Sequence, residues 1–443
     1  MVLPAAAAAV LAALALLWGQ LARARARAAR DVRAAWRGGR DAPPLAVVMP
    51  VRGERPGARE RWERQLSVRY SGQVSFIFVA ESEADPAFRA AHALARAHGA
   101  PLGRHLYRHA THAHATLRVV AAGPTTNHSQ KIHNQLAGLD AAPDNTAVVL
   151  FLDDDMEVAS SAAEIAVDFL LSDTRRGICV TGYPCDYCTP NASWFAHAAA
   201  AYRKVLSVPY GVSDAAGFVW GGFMCVRVED AREVAREWRV GGYSDDLVMA
   251  GVAANTRRLV LTPYTLAFPT VHAPDTTFVA YWNYLRRQAY TCTTYTNTTM
   301  RLVNIAMAAV HCALSFVVAA GGVAALGQVV ACAPSLGAIA CAAAVGAGAV
   351  SLRASDRATW QLHVASTEAS KHAPGAWCDV DATRGFPPPP EGLLPYARTA
   401  IAIVFHQVVI LAAFAVSAWR DDVVWGGRRY LRNGGRVARV KLL

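Results

Sequence analysis

The run Val148-Val-Leu-Phe-Leu152 stops abruptly at Asp153-Asp-Asp155, and this junction of apolar chain and acid constrains the fold more than any other stretch. Five β-branched, aliphatic and aromatic residues without polar alternation read as a strand buried on both faces, the condition of a parallel sheet covered by helices. Such sheets bind ligands at the carboxyl ends of their strands. The strand therefore carries three like charges to a ligand-binding edge, where they need a counter-ion. Alternation turns Asp153 and Asp155 to one side and Asp154 to the other, so the first two suit a divalent cation, Mg or Mn, that holds a diphosphate. An acidic turn after a strand is the plain alternative, since aspartate is a common turn residue.

Hydropathy adds a second constraint. The chain is 53% hydrophobic, and Val2 to Ala22 is an uncharged span long enough to cross a bilayer. Arg23, Arg25, Arg27, Arg30, Arg33, Arg37 and Arg40 follow it. Positive charge after the apolar core marks a signal-anchor with a lumenal N-terminus, not a cleaved signal. The nearly uncharged stretch from Val303 to Leu352 holds two further membrane helices, and Tyr396 to Ala418 a third. The expected organisation is therefore an anchor at 1–22, a basic linker at 23–43, a cytosolic α/β domain at 44–300, two membrane helices at 301–352, a polar loop at 353–395, a membrane helix at 396–418 and a basic tail at 419–443. Three spans after a cytosolic domain would leave the tail in the lumen, whereas Arg428, Arg429, Arg432 and Arg436 favour the cytosol. A cytosolic tail requires one apolar segment to be re-entrant or interfacial. His311 and His406, within these spans, read as facing the helix bundle.

The net charge of +11 lies largely in the arginine flank and the tail. Basic residues beside a membrane contact anionic lipid headgroups, and without any nucleic-acid-binding motif nucleic acid is not an expected partner. Nine cysteines form no paired framework. Cys185 and Cys188 have zinc-like spacing but no second pair, so they read as ordinary thiols.

The second strand-like run, Val74 to Val79, ends at Glu81, Glu83 and Asp85, and Pro86 opens a helix. Two strands thus end in acid, as a nucleotide-sugar site needs: one acidic position for base or ribose, another for metal and phosphate. Trp220-Gly221-Gly222 lets backbone approach a ligand closely because two residues lack Cβ, although a tight turn needs the same residues. Gly241-Gly-Tyr-Ser-Asp245-Asp246 places two carboxylates at a helix start, where an N-cap role is the structural reading. Arg286 and Arg287 stand among aromatics in Tyr281 to Gln288, and guanidinium forks match diphosphate oxygens.

The order of these elements resembles the membrane-bound ceramide glucosyltransferases, inverting enzymes of the family 2/21 type with a GT-A (Rossmann-like) fold, and most closely their plant-type members. The matching patterns are Lys131 to Leu136, Phe151 to Asp155, Thr181 to Pro184, Trp220 to Gly222, Gly241 to Asp246 and Tyr281 to Arg286. The resemblance covers roughly Pro44 to Tyr295, and more weakly the membrane part and Trp425 to Tyr430. It implies an α/β GT-A domain, cytosolic and catalytic, between N-terminal and C-terminal transmembrane helices in the Golgi or endoplasmic reticulum. The implied reaction transfers glucose from UDP-glucose to the primary hydroxyl of ceramide with inversion, beside membrane lipids.

Residue by residue, the resemblance gives Asp85 a contact with uridine, Asp153 a nucleotide and metal contact, and Asp155 a metal contact. It makes Asp246 the general base and sets Lys131, Trp220, Gly221 and Gly222 around the nucleotide sugar. Arg286, and after it Arg287, falls to the departing UDP, although only the first arginine of the family's Gln-x-x-Arg-Trp signature is retained. Asp154 is expected to matter least. Another lipid or a polysaccharide is the alternative acceptor, but a processive polymerase would carry the intact signature and more spans. A non-catalytic nucleotide-sugar binder or transporter does not need three acidic motifs.

Overall fold

In the computed structural model, which describes residues 2–35, 42–369 except 111 and 113, and 377–443 except 379, 380, 382, 384 and 385, the apolar runs of the chain form sheet. In chain order the strands are β1 (Leu45–Pro50), β2 (Val74–Ala80), β3 (Gly99–Gly103), β4 (Leu106–His109), β5 (Ala115–Ala121), β6 (Val148–Leu152), β7 (Gly177–Thr181), β8 (Tyr183–Tyr187), β9 (Ala215–Ala216), β10 (Phe223–Arg227), β11 (Leu259–Leu261), β12 (Ala267–Val271), β13 (Asp422–Trp425), β14 (Arg428–Asn433) and β15 (Arg436–Leu442). Ten of them form one sheet in the order β3-β4-β5-β2-β1-β6-β10-β7-β11-β9, while β8 pairs with β12 and β13 to β15 form a third sheet.

The centre of the large sheet, β5-β2-β1-β6, is parallel, and all five residues of β6 are buried. Alternation sorts the side chains into two cores. Val47, Phe76, Phe78 and Leu150 face the helices Ala58–Gln65, Pro86–His98 and Ala162–Ser172. Val48, Ile77, Val149 and Phe151 face Gln130–Asp140, Val228–Arg239 and Asp245–Thr256. Each fully buried aliphatic or aromatic side chain contributes about 2 kcal/mol from water exclusion. Fold class is thus as expected, α/β with apolar helices at both ends. The sheet is mixed, because β10 runs antiparallel between β6 and β7. That reversal brings Gly222, just before β10, beside the end of β6, where the Asp153 amide donates to the Gly222 carbonyl (3.0 Å).

Among the described residues four helical stretches are long and apolar enough to cross a membrane: Val2–Val32, Thr298–Val330, Leu336–Ala369 and Leu394–Trp419. Several expected boundaries move. The expected linker from residue 23 is helical through Ala35, with Arg37 and Arg40 outside the described residues, and the expected polar loop from 353 is helical through Ala369. Arg25 does not reach for headgroups; it is buried, and its Nη1 donates to Thr359 Oγ1 (2.7 Å). The tail is a folded sheet rather than a solvated basic strand. His406 faces the bundle, its Nδ1 2.9 Å from Tyr281 Oη. All nine cysteines are free.

The last apolar helix begins and ends on the α/β unit. Thr399 Oγ1 lies 2.8 Å from Nδ1 of His197, on the helix Trp194–Leu206. Near the other end Ser417 Oγ donates to the Arg286 carbonyl (3.4 Å), on the helix Phe278–Thr291. The strands that follow dock on the same unit, with the Val437 amide donating to the Gly241 carbonyl (3.0 Å). Both ends of Leu394–Trp419 are thus bonded to the α/β unit, and a tail bonded to that unit is expected to share its side of a membrane. Tags inserted at 143–145 and after Leu443 are therefore expected to be labelled from the same side of sealed vesicles, and a tag in the 331–335 turn from the other. A Leu443 tag protected while the 143–145 tag is labelled would contradict this topology.

Candidate active site

Lys131 joins three separated motifs. Ser129 caps its helix, its hydroxyl accepting from the Ile132 amide (3.3 Å), while the Ser129 amide donates to the Gly242 carbonyl (2.9 Å). The cap fixes the first turn against the Gly241-Gly242 loop and aims Lys131 at the end of β6. Its Nζ lies 2.8 Å from Asp153 Oδ1 and 2.9 Å from Asp245 Oδ2, and donates to the Gly221 carbonyl (3.0 Å). An ammonium has three donors, and each meets a different motif.

Around this cation the carboxylates take distinct roles. Asp245 is buried; Gln135 Nε2 donates to its Oδ2 (2.8 Å), and its carbonyl accepts from Trp238 Nε1 (3.2 Å). A Cβ on Gly221 would stand 3.0 Å from both Asp245 carboxyl oxygens, so a side chain there would press on the carboxylate that Lys131 holds. Asp246, at the rim, accepts from the Leu247 amide (2.8 Å), from the Gly221 amide (3.3 Å) and from the Ser244 hydroxyl. Ser244, not either aspartate, occupies the N-cap position of that helix.

Within the triplet, Asp154 turns away to Arg55 Nη2 (2.8 Å), and its carbonyl accepts from Arg61 Nε (3.3 Å). Asp155 is exposed, with Arg55 Nη1 at 4.0 Å. Gln65 Nε2 fixes the turn by donating to the carbonyls of Asp153 (2.7 Å) and Met156 (2.9 Å).

Burial pushes the Asp153 carboxyl up to about 7, with Asp155 and Asp245 adding to the rise and Lys131 opposing it. Burial likewise raises Asp154 to about 6 against the pull of Arg55. Asp246 is held above the ordinary carboxylate range by burial first and by Asp245 second. Lys131 stays protonated: burial lowers it, but Asp153 and Asp245 outweigh that.

Among the described residues no three His, Cys, Asp or Glu converge as a protein-only metal cage. Asp153 and Asp155 instead fit an ion that takes one or two carboxylates and completes its shell with phosphate and water. Their mutual repulsion is what such a cation relieves.

Asp85 caps the helix Pro86–His98, its Oδ1 accepting from the amides of Ala87 (2.9 Å) and Gly53 (2.8 Å), and so ties the loops after β1 and β2. The Trp220 ring folds over Gly222, where a Cβ would collide with it, and rests 5.7 Å from Phe268. Arg286 and Arg287 are not brought to the carboxylates by any described contact. Arg286 Nη2 donates to the Asp422 carbonyl (3.2 Å), and the Arg287 guanidinium lies 5.0 Å from the Trp425 ring centre and 5.7 Å from that of Tyr284. Both fasten the C-terminal sheet.

No protein-family model matches the chain, and no curated protein does. Among solved structures, a mannosyltransferase from Pyrobaculum calidifontis, determined with GDP-mannose and Mn2+, overlays at a TM-score of 0.43 with 17% identity, over 82% of this chain and 98% of that one. A mycobacterial protein overlays at 0.31 with 14% identity, over 59% and 76%. Overlaps this slight assign no family.

The sequence reading missed Asp245 and Arg203. The acidic pair was visible, but only its second member drew a role, because the partners of the first lie 110 and 114 positions away. Arg203 Nη1 pairs with buried Asp186 (3.2 Å), and its Nε donates to Tyr284 Oη (3.3 Å). Burial alone would raise Asp186, yet Arg203 and His272 bring it to about 2. No local motif marks this cation.

Replacing Lys131 by Met leaves Asp153 and Asp245 facing each other, at a cost of about 3 kcal/mol at pH 8. With its cation gone, the folded pKa of Asp153 rises further above the unfolded value of about 4. Relative to the parent, the Asp153 part of the penalty is therefore absent while both folded proteins hold its proton and grows as pH rises above the parent's folded pKa of about 7. Thermal unfolding of the solubilised protein should show a larger Lys131→Met deficit at pH 8 than at pH 5. Equal deficits would remove the electrostatic role.

Proposed function

We propose that this protein is a membrane-bound inverting glycosyltransferase of the GT-A type that transfers glucose from UDP-glucose to the primary hydroxyl of ceramide. The observation that carries the reading is the Lys131 junction, which gathers Asp153, Asp245 and Gly221 with Asp246 beside them at a strand-end edge. Ligands of parallel sheets bind at such edges.

In the proposed reaction the acceptor hydroxyl oxygen attacks the anomeric carbon from the side opposite the diphosphate. The new C–O bond forms as the bond to UDP breaks, and the hydroxyl proton passes to Asp246. A carboxylate raised above its usual range is the better base, because its affinity for the proton is closer to what the step requires. Three donors hold Asp246: Ser244, the Leu247 amide and the Gly221 amide. Asp153 and Asp155 would hold a Mg or Mn ion, which when bound supplies charge to offset that growing on UDP. Lys131 keeps Asp153 oriented, and Asp85 lies between the β1 and β2 loops, where the uridine is proposed to bind.

A lipid acceptor is favoured by the neighbourhood of Asp246. Its charge reaches Tyr202 on the helix Trp194–Leu206, and that helix packs against Leu394–Trp419, one of the apolar helices. It also reaches Cys292, whose thiol burial chiefly pushes up to about 11, just before the apolar helix Thr298–Val330. A two-chain lipid that stays in the bilayer can present its hydroxyl from that side.

The test is product formation by membranes containing the protein, supplied with a panel of UDP-sugars and lipid acceptors. Ceramide-dependent glucosyl transfer is expected, and Asp246→Asn should lower kcat by about 10²- to 10⁴-fold with folding and UDP binding retained. A product only with another lipid or a polysaccharide would correct the acceptor, and turnover surviving in folded Asp246→Asn would remove the base.

A further inference from the structure

The C-terminal sheet sits over the carboxyl edge of the large sheet, beside the acidic cluster. Its turn at Gly426-Gly427 has left-handed backbone (φ +58° and +65°), and a Cβ at Gly426 would collide with the guanidinium of Arg52, which follows β1. Next in the chain, Arg428 is 2% exposed. It forms an ion pair with Glu81, the residue after β2, while its Nε has no hydrogen-bond partner. Two residues on and on the same face of β14, Tyr430 Oη accepts from the Gln130 amide (3.4 Å), immediately before Lys131.

Strand β14 therefore presents Arg428 and Tyr430 to the loops after β1 and β2 and to the first turn of the Lys131 helix. Arg428 meets the carboxylate of Glu81, and the Arg52 guanidinium lies against the adjoining Gly426-Gly427 turn, so two guanidinium groups stand near one paired carboxylate at an edge where sheets bind ligands. In the sheet β2, β1 and β6 are successive, and adjacent strands lie about 4.8 Å apart. By backbone position Arg52, after β1, is one strand spacing from Asp153, and Glu81, which holds Arg428 after β2, is two, a range that a nucleoside diphosphate can bridge.

We propose that the C-terminal sheet completes the donor site, with Arg428 and Arg52 binding the phosphates of the nucleoside diphosphate. The inference rests on the nucleotide-sugar reading above and assigns to the tail the cations that Arg286 and Arg287 do not supply. Guanidinium forks suit phosphate oxygens, and the buried one is already desolvated and aimed. Glu81 balances one of the two charges and competes with the ligand for the other. Membrane attraction falls to exposed tail residues such as Arg439 and Lys441.

The test is UDP binding to the full-length protein in micelles, by calorimetry, with thermal unfolding of each variant. Arg52→Gln and Arg428→Gln are each expected to weaken UDP binding at least tenfold. Glu81→Gln is expected to bind as tightly as the parent or more tightly, because it removes the competing carboxylate. Arg439→Gln should bind unchanged. If Arg428 merely bridged to Glu81, both of those variants would lose stability alike and Arg52→Gln would bind normally. Parent-like UDP binding by Arg52→Gln, whose exposed side chain can be removed without unfolding the chain, overturns the proposal even if Arg428→Gln does not fold. Failure of the unaltered protein to bind UDP would instead sink the nucleotide-sugar reading, and this inference with it.

Discussion

One ammonium group organises the site. Lys131 holds Asp153 at the end of β6, Asp245 at the start of a helix and the Gly221 carbonyl in the turn before β10, at 2.8, 2.9 and 3.0 Å. Burying two carboxylates and a cation costs several kcal/mol per ion unless geometry and further hydrogen bonds compensate. Here Gln135 serves Asp245, and the Gly222 carbonyl and Gln65 hold the backbone of Asp153. The charges are not balanced, since Asp155 and Asp246 add two more carboxylates to one lysine. Burial first, and that surplus second, keep Asp153 and Asp246 above their usual range and leave the edge ready for a cation and for a proton from an acceptor.

The rest of the fold serves this junction. The antiparallel β10 returns the Trp-Gly-Gly turn to β6, and the helix cap at Ser129 aims the lysine. The final apolar helix is bonded to the α/β unit near both ends, so the C-terminal sheet that follows it reaches the site. Arg286 and Arg287, on the helix that bridges the α/β unit and the apolar helices, fasten that sheet through Asp422 and Trp425. The membrane helices and the acidic edge are parts of one mechanical unit.

Much of this was legible in sequence, and the boundary is physical. The β6 run read as a strand buried on both faces with its acid at the strand end, because both follow from local polarity, while local polarity alone left an acidic turn open. Asp154 pairs with Arg55 rather than Lys131, in a turn beyond the strand end where strand alternation no longer applies. Span counting did not show that both ends of Leu394–Trp419 bond to the α/β unit, because hydropathy carries no information on what a helix end touches. What stayed hidden depends on partners far away in sequence: Lys131 with Asp245, Arg428 with Glu81, Arg286 with Asp422. The arginines of Tyr281 to Gln288 were conspicuous by composition, yet composition does not say which way a helix face turns.

The central claim is that the Lys131-linked carboxylates form a metal-assisted nucleotide-sugar site. Calorimetric titration of UDP-glucose into the unaltered full-length protein, with Mn2+ and then with excess chelator, tests it most directly. Binding is expected with the ion, and binding at least tenfold weaker without it. Absence of binding, or affinity indifferent to the ion, would contradict the claim.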